Sequence, residues 1–241
     1  MIEKIAEASS SPRARITGVV YLLFFLTTIP AELLIRGLVV SGDAAATANN
    51  ILAHQSLFRL HFAGGLIATA LYIAVTALFY GLFKPVNRSL ALVAAFFSLV
   101  GCAIQAFGSL FQLAPLVLLG GSPYLSVFKV EQLQALALMF LKLNAETPDI
   151  YLVFFGLFNL LIGYLIFRST FLPRILGALM ALSGLGWLTF LLPPLANNLF
   201  TYIAVIGILA EASLMLWLLV KGVNVQRWKE QASAAGNSGV A

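Results

Sequence analysis

IAVIGILAEASLMLWLLV, residues 203–220, is the stretch on which the reading of this chain turns. Glu211 is its one charged residue and Ser213 its one hydroxyl, and it is long enough to cross most of a bilayer core as a helix. A carboxylate at that depth costs a few kcal/mol even on lenient insertion scales. Such a residue needs polar neighbours, so the helix that carries it belongs inside a bundle rather than alone in lipid.

Outward from that stretch, five more have the same character. With 199–220 they are 16–35, 58–83, 90–119, 149–167 and 171–192, and together they predict an all-α polytopic membrane bundle of six transmembrane helices. Composition agrees: 61% of residues are hydrophobic and only 10% are charged, against about 25% charge in an ordinary soluble domain. The apolar run after Arg15 is about 20 residues long, beyond the roughly 7–15 of a signal-peptide core, and predicts an uncleaved first span. Cys102 is the single cysteine, which excludes a disulfide or a cysteine-built metal site within the chain.

Prolines and glycines punctuate the spans. Lys84-Pro85-Val86-Asn87-Arg88 reads as a tight turn, Pro173 as a first-turn residue of the fifth span, and Pro193-Pro194 as its end. Pro30 and Pro115 fall inside spans and predict local kinks. Two connections are long. In 37–57, Asp43 is placed to cap a short helix over 44–53. In 121–148, VEQLQALALMFLKLN (130–144) predicts a separate amphipathic helix, too short to span and so interfacial or re-entrant.

Basic residues set the expected orientation. With the N-terminus inside, ten of the 14 Lys and Arg fall on the cytoplasmic side; Arg36, Arg59, Lys129 and Lys142 fall outside. The domain reading is a cytoplasmic tail over 1–14, a six-span membrane domain over 15–222, and a cytoplasmic tail over 223–241, disordered from Ser233. Arg227-Trp228-Lys229 in that tail is suited to anionic headgroups. The cations gather at span ends and not in a stripe, which argues against nucleic acid as a partner. The expected location is a bacterial inner membrane, multi-pass, with both termini cytoplasmic.

Each span also carries small and polar residues at helical spacing, the pattern of close helix packing. Gln105 and Gln112 share a face of the third span, Asn159 stands in the fourth, and Glu32 and Arg59 lie near the outer ends of the first two. At 1.5 Å per residue, Glu211 and Asn159 come out near one depth, and no basic residue reaches it. Glu211 is therefore expected to be protonated or hydrogen-bonded by neutral groups, with Gln105 and Asn159 as candidate partners. Arg59, Arg36 or His61 is expected to neutralise Glu32.

Catalytic motifs are missing: there is no HExxH, no GxSxG, no Walker loop and no dinucleotide-binding glycine motif. His54 and His61 have no acid or cysteine at ligand spacing, so no metal or other cofactor is expected.

Several stretches carry a family likeness: ARITGVVYLLFF (14–25), SGDAAATANNILAHQSLFRL (41–60), KPVNRSLALVAA (84–95), FGLFNLLIGYLIFRSTFLPRILGALMALSGLGWL (155–188) and LWLLVKGVN (216–224). From about Ala14 to Val223 the chain resembles the bacterial multi-span family catalogued as domain of unknown function 4386. That resemblance implies about six helices and a bacterial membrane, and brings no catalytic residues with it. The functional expectation is binding or transport of a small or lipidic molecule in a polar pocket formed by Glu211, Asn159, Gln105 and Gln112, opening outward past Glu32 and Arg59. The alternatives are a structural or regulatory membrane subunit without a ligand, and an intramembrane enzyme using Glu211 as acid or base.

Overall fold

Lipid offers no hydrogen bonds, so a segment that crosses it must satisfy every backbone N–H and C=O internally. The chain does this with helices. The computed structural model describes residues 10–35 and 37–237, and among these there are eight α-helices and no strand. They are α1 (Ser10–Leu34), α2 (Ala44–Ala53), α3 (Gln55–Phe83), α4 (Arg88–Leu118), α5 (Val130–Arg168), α6 (Arg174–Leu188), α7 (Pro193–Val220) and α8 (Val225–Asn237). Six of them, all but α2 and α8, form segments long and apolar enough to cross a membrane, α6 together with the turn that follows it to Leu191. Their outer faces are unlike those of a soluble protein: Phe96, Phe107, Ile175 and Leu209 are each more than half exposed, while Thr17, Ser98, Asn159 and Ser183 are buried. The fold is the expected all-α polytopic membrane bundle.

Local chemistry explains the ends. Asp43 accepts the Ala46 N–H at 2.8 Å and caps α2 as its side chain predicts. Asn87 accepts the Leu90 N–H at 2.9 Å and starts α4 directly after the Pro85 turn. Gly222, at φ 69°, closes α7 in the left-handed region that a residue without Cβ enters freely.

Three expectations are corrected. Segment 130–144 is not a separate helix: it is continuous with the fourth span in the 39-residue α5, with Pro148 inside. A proline in a helix removes the bond to the carbonyl four residues back, but its fixed φ is itself helical. Here the carbonyl left without its bond is that of Asn144 alone, and the helix runs on through the proline to Arg168. Pro193-Pro194 does not end the fifth span; it opens α7, where the missing N–H groups belong to the first turn and cost nothing. The tail expected to be disordered from Ser233 is helical to Asn237, and 238–241 lie outside the described residues.

The chain divides into two compact units. The first comprises Met1–Leu23, Leu71–Cys102 and Asp149–Ala241; the second comprises Phe24–Ala70 and Ala103–Pro148. In the first, aromatic rings fill the centre: Tyr72 meets Phe155 at 4.9 Å between centroids, and Tyr21 meets Phe79 edge-on at 5.8 Å. The lone thiol, Cys102, is buried in this unit beside Gly101, whose missing side chain makes room for the Phe155 ring. In the second, Leu38, Ile51, Phe58 and Leu141 form a core with Ile35, Leu116 and Leu119 packed against it.

Candidate functional site

The bonds that hold Glu211 come from two other helices. Its Oε2 accepts the Tyr21 hydroxyl of α1 at 2.7 Å, and its Oε1 accepts from Asn159 Nδ2 of α5 at 3.2 Å. Asn159 Nδ2 also donates to Ser183 Oγ of α6 at 3.2 Å. One side chain from each of four helices thus joins a single cluster, and Tyr21, Asn159 and Ser183 expose none of their surface.

Register in the sequence brings these residues together. Asn159 is nine residues before the end of α5 at Arg168, Ser183 nine after the start of α6 at Arg174, and Glu211 nine before the end of α7 at Val220. At 1.5 Å per residue each lies about 14 Å along its helix from an end on the same side. Tyr21, eleven residues into α1, falls at nearly the same level.

Missing Cβ atoms then let the backbones close in. A Cβ on Gly184 would stand 2.7 Å from the Gly156 carbonyl oxygen, and one on Gly163 would stand 2.8 Å from that of Gly177. Those two contacts bracket Asn159 and Ser183 on α5 and α6. Gly18 does the same for α1 against α7, where a Cβ would fall 2.5 Å from the Leu219 nitrogen. Close small-residue contact of this kind is how membrane helices gain packing energy when lipid is as apolar as they are.

The hydrogen-bond inventory of the cluster is lopsided. Tyr21 O–H and Asn159 N–H both donate toward the carboxylate, and Asn159 Oδ1 is buried with no partner. What is left over is acceptor capacity: that amide oxygen, and the remaining lone pairs of Glu211. The cluster can hold a proton or a hydrogen-bond donor. It also places two ionisable groups, Tyr21 and Glu211, within proton-transfer distance, the geometry an acid–base pair requires.

Gln105 and Gln112 belong to the second unit. The Gln105 carbonyl accepts from Ser109 Oγ at 3.2 Å, and the buried Gln112 Nε2 has no partner. Of the two partners expected for Glu211, Asn159 bonds it and Gln105 does not figure among its hydrogen bonds. Glu32 and Arg59 are both exposed, and among the described residues no ion pair joins them. His61 is turned to the backbone: its Nδ1 lies 2.9 Å from the Ala31 carbonyl, to which it donates, and not at the Glu32 carboxylate. Arg36 lies outside the described residues. No group of three His, Cys, Asp or Glu side chains among the described residues is placed to hold a metal.

Sequence reasoning overlooked Tyr21 and Ser183. Both carry hydroxyls, which a membrane span tolerates far more readily than a charge, so neither stands out from its apolar neighbours. A depth ruler applied to every hydroxyl, and not only to amides and charges, would have found both.

The chain belongs to the family described as domain of unknown function (DUF4386), whose profile matches residues 16–222. It is also 24% identical over 152 residues to an uncharacterized protein of Archaeoglobus fulgidus, covering 62% of this chain and 76% of that relative. No solved structure matches it. The likeness read from 155–188 and its companion stretches is therefore correct.

Proposed function

We propose that this member of the DUF4386 family is an intramembrane binding protein that holds a small or lipidic molecule through a hydrogen-bond donor or cationic group at Glu211 and Asn159. The observation that carries this reading is the unpartnered Oδ1 of Asn159, fully buried beside the carboxylate. A buried acceptor left unpaired costs about 1–3 kcal/mol, a cost that a donor on a bound molecule removes. An ionisable residue at bilayer depth is itself expensive and most often functional. In this reading the binding groups are Glu211 and Asn159 with their partners Tyr21 and Ser183, and Gln105, Gln112, Glu32 and Arg59 are not required.

The test compares small molecules that co-purify with wild type and with Glu211→Gln, released by organic extraction and resolved by mass spectrometry. At least one amine- or hydroxyl-bearing species is expected to be enriched in wild type and lost from the variant at matched melting temperature. Identical extracts from two equally folded proteins would sink the reading.

A second reading is favoured by one specific observation: both carboxylate oxygens already have a donor from the protein. A purely structural node, in a subunit without a ligand, needs nothing more. It predicts the same extract from both proteins, with loss of stability in Glu211→Leu as the only consequence.

The location that goes with the binding reading is a bacterial inner membrane with both termini cytoplasmic, supported by the ten-to-four division of Lys and Arg. A fluorescent protein fused to the C-terminus is bright under this topology. A dark fusion, with an exported reporter active in its place, reverses it.

A further inference from the structure

Away from the Glu211 cluster, the first unit gathers the start of α1, the 84–87 turn, the 169–173 turn and α8 around one side chain. Trp228 of α8 donates its indole N–H to the Leu82 carbonyl at 3.0 Å, at the last turn of α3. α8 is fastened from its other side as well. Gln231 donates to the Arg168 carbonyl at 3.3 Å and accepts the Thr170 N–H at 3.2 Å, and Arg227 donates to the Thr170 carbonyl at 3.3 Å. The indole is thereby held as a fixed wall between two cavities.

The two cavities differ in character. One, of about 170 Å³, is a groove along α3 over Ala77, Leu78, Gly81 and Leu82, with Thr17 and Arg13 at its rim. A Cβ added to Gly81 would meet nothing within 4 Å, so the groove is open at that point. The other, of about 450 Å³, is lined by Tyr80, Lys84, Pro85, Arg88, Ala232 and Ala235, with two cations and no acid among them. Glu230, the acidic residue of α8, is turned to Gln226, whose amide donates to it at 3.2 Å. An apolar slot on a membrane-spanning helix thus adjoins a basic pocket at that helix's end.

We propose that these two cavities form a binding site for one anionic phospholipid, its phosphate facing Lys84 and Arg88 and an acyl chain lying over Gly81. Charge complementarity selects an anion, because no carboxylate lines either cavity. The groove selects an amphiphile over a soluble anion: Ala77, Leu78 and Gly81 belong to a helix that spans lipid, so a chain enters from the bilayer side. Trp228 and Tyr80 offer what interfacial aromatics usually offer, an apolar face to the chain and a polar edge to the headgroup.

The test uses the full-length protein in neutral detergent, titrated with dioleoylphosphatidylglycerol or dioleoylphosphatidylcholine and read by lipid retention in native mass spectrometry. Two cations near a headgroup predict about thirtyfold tighter retention of the anionic lipid. In the Lys84→Gln/Arg88→Gln double variant the preference is expected to fall to nearly none. Gly81→Leu, whose Cβ meets nothing within 4 Å and whose branch occupies the groove, is expected to weaken retention of both lipids while leaving the melting temperature of lipid-free protein in place. Equal retention of the two lipids by wild type overturns the proposal. So does a preference that survives the double variant, which would make it a property of the whole basic surface. Displacement of the bound lipid by millimolar inorganic phosphate overturns the lipid assignment and makes free phosphate the ligand. None of these outcomes bears on Glu211, so this proposal and the previous one fail separately.

Discussion

In the first unit, buried polar side chains find one another: Tyr21 with Glu211, Glu211 with Asn159, Asn159 with Ser183, Thr76 with Ser98 at 2.6 Å. In the second, those that have a partner turn to backbone instead, while the buried Gln112 Nε2 has none. Asn50 donates to the Leu38 carbonyl at 3.3 Å, Thr47 to that of Val40 at 3.2 Å, Asn144 to that of Gly108 at 3.0 Å, and His61 to that of Ala31 at 2.9 Å. The second pattern repairs local defects, places where a helix ends or another helix comes near, and each repair stands alone. The first pattern is a network in which side chains of four helices are linked through one carboxylate and one amide, so removing one member takes a partner from its neighbours. Networks of that kind fix a unique arrangement when every member is satisfied and are costly when one is not. The remaining orphan, Asn159 Oδ1, is the place where this network is incomplete.

The contrast can be broken at its strongest point first. Gly184→Leu drives a side chain into the Gly156 carbonyl and the Leu160 backbone, each 2.7 Å from where its Cβ would be. Overpacking of this severity costs about 3 kcal/mol, and little monodisperse protein is expected on fluorescence-detected size exclusion. Glu211→Leu comes next. It leaves the Tyr21 hydroxyl and the Asn159 amide without their shared acceptor, a loss of about 2 kcal/mol. Glu211→Gln is expected to stay within about 1 kcal/mol of wild type, because its amide oxygen can serve Tyr21 while its nitrogen donates to a flipped Asn159. Equal melting temperatures for the leucine and glutamine variants would remove the network from the account. Asp43→Ala should matter least: the lost N-cap costs about 1 kcal/mol at the exposed start of α2. Hydrogen exchange should quicken in 44–50 and leave α5, α6 and α7 unchanged; exchange that quickens in those helices too would deny the independence of the second unit's repairs.

Much of this was legible in the chain. Six spans follow from apolar length alone, because lipid forces every span to be helical and leaves hydropathy as the main variable. Asp43 and Asn87 follow from the chemistry of helix starts. The errors share a cause. Pro148 and Pro193-Pro194 look like breaks, but whether a proline breaks a helix depends on which carbonyl it orphans and what repairs it, and that is decided by the fold. The site was half legible for a related reason. Helical spacing says which residues share a face, and depth says which can meet, but neither says which faces turn toward each other. Glu211 and Asn159 satisfied both criteria, and their helices turn those faces toward each other. Gln105 and Gln112 satisfied the spacing criterion equally well and belong to the other unit.

Cys102, the single thiol of the chain, gives the protein a native clock. Only 1% of it is exposed, so an alkylating reagent reaches the sulfur only during excursions in which α4 separates from its neighbours. The labelling rate of unaltered protein therefore counts those excursions without any introduced residue. Any molecule that tightens the bundle would slow the count, whichever surface it binds.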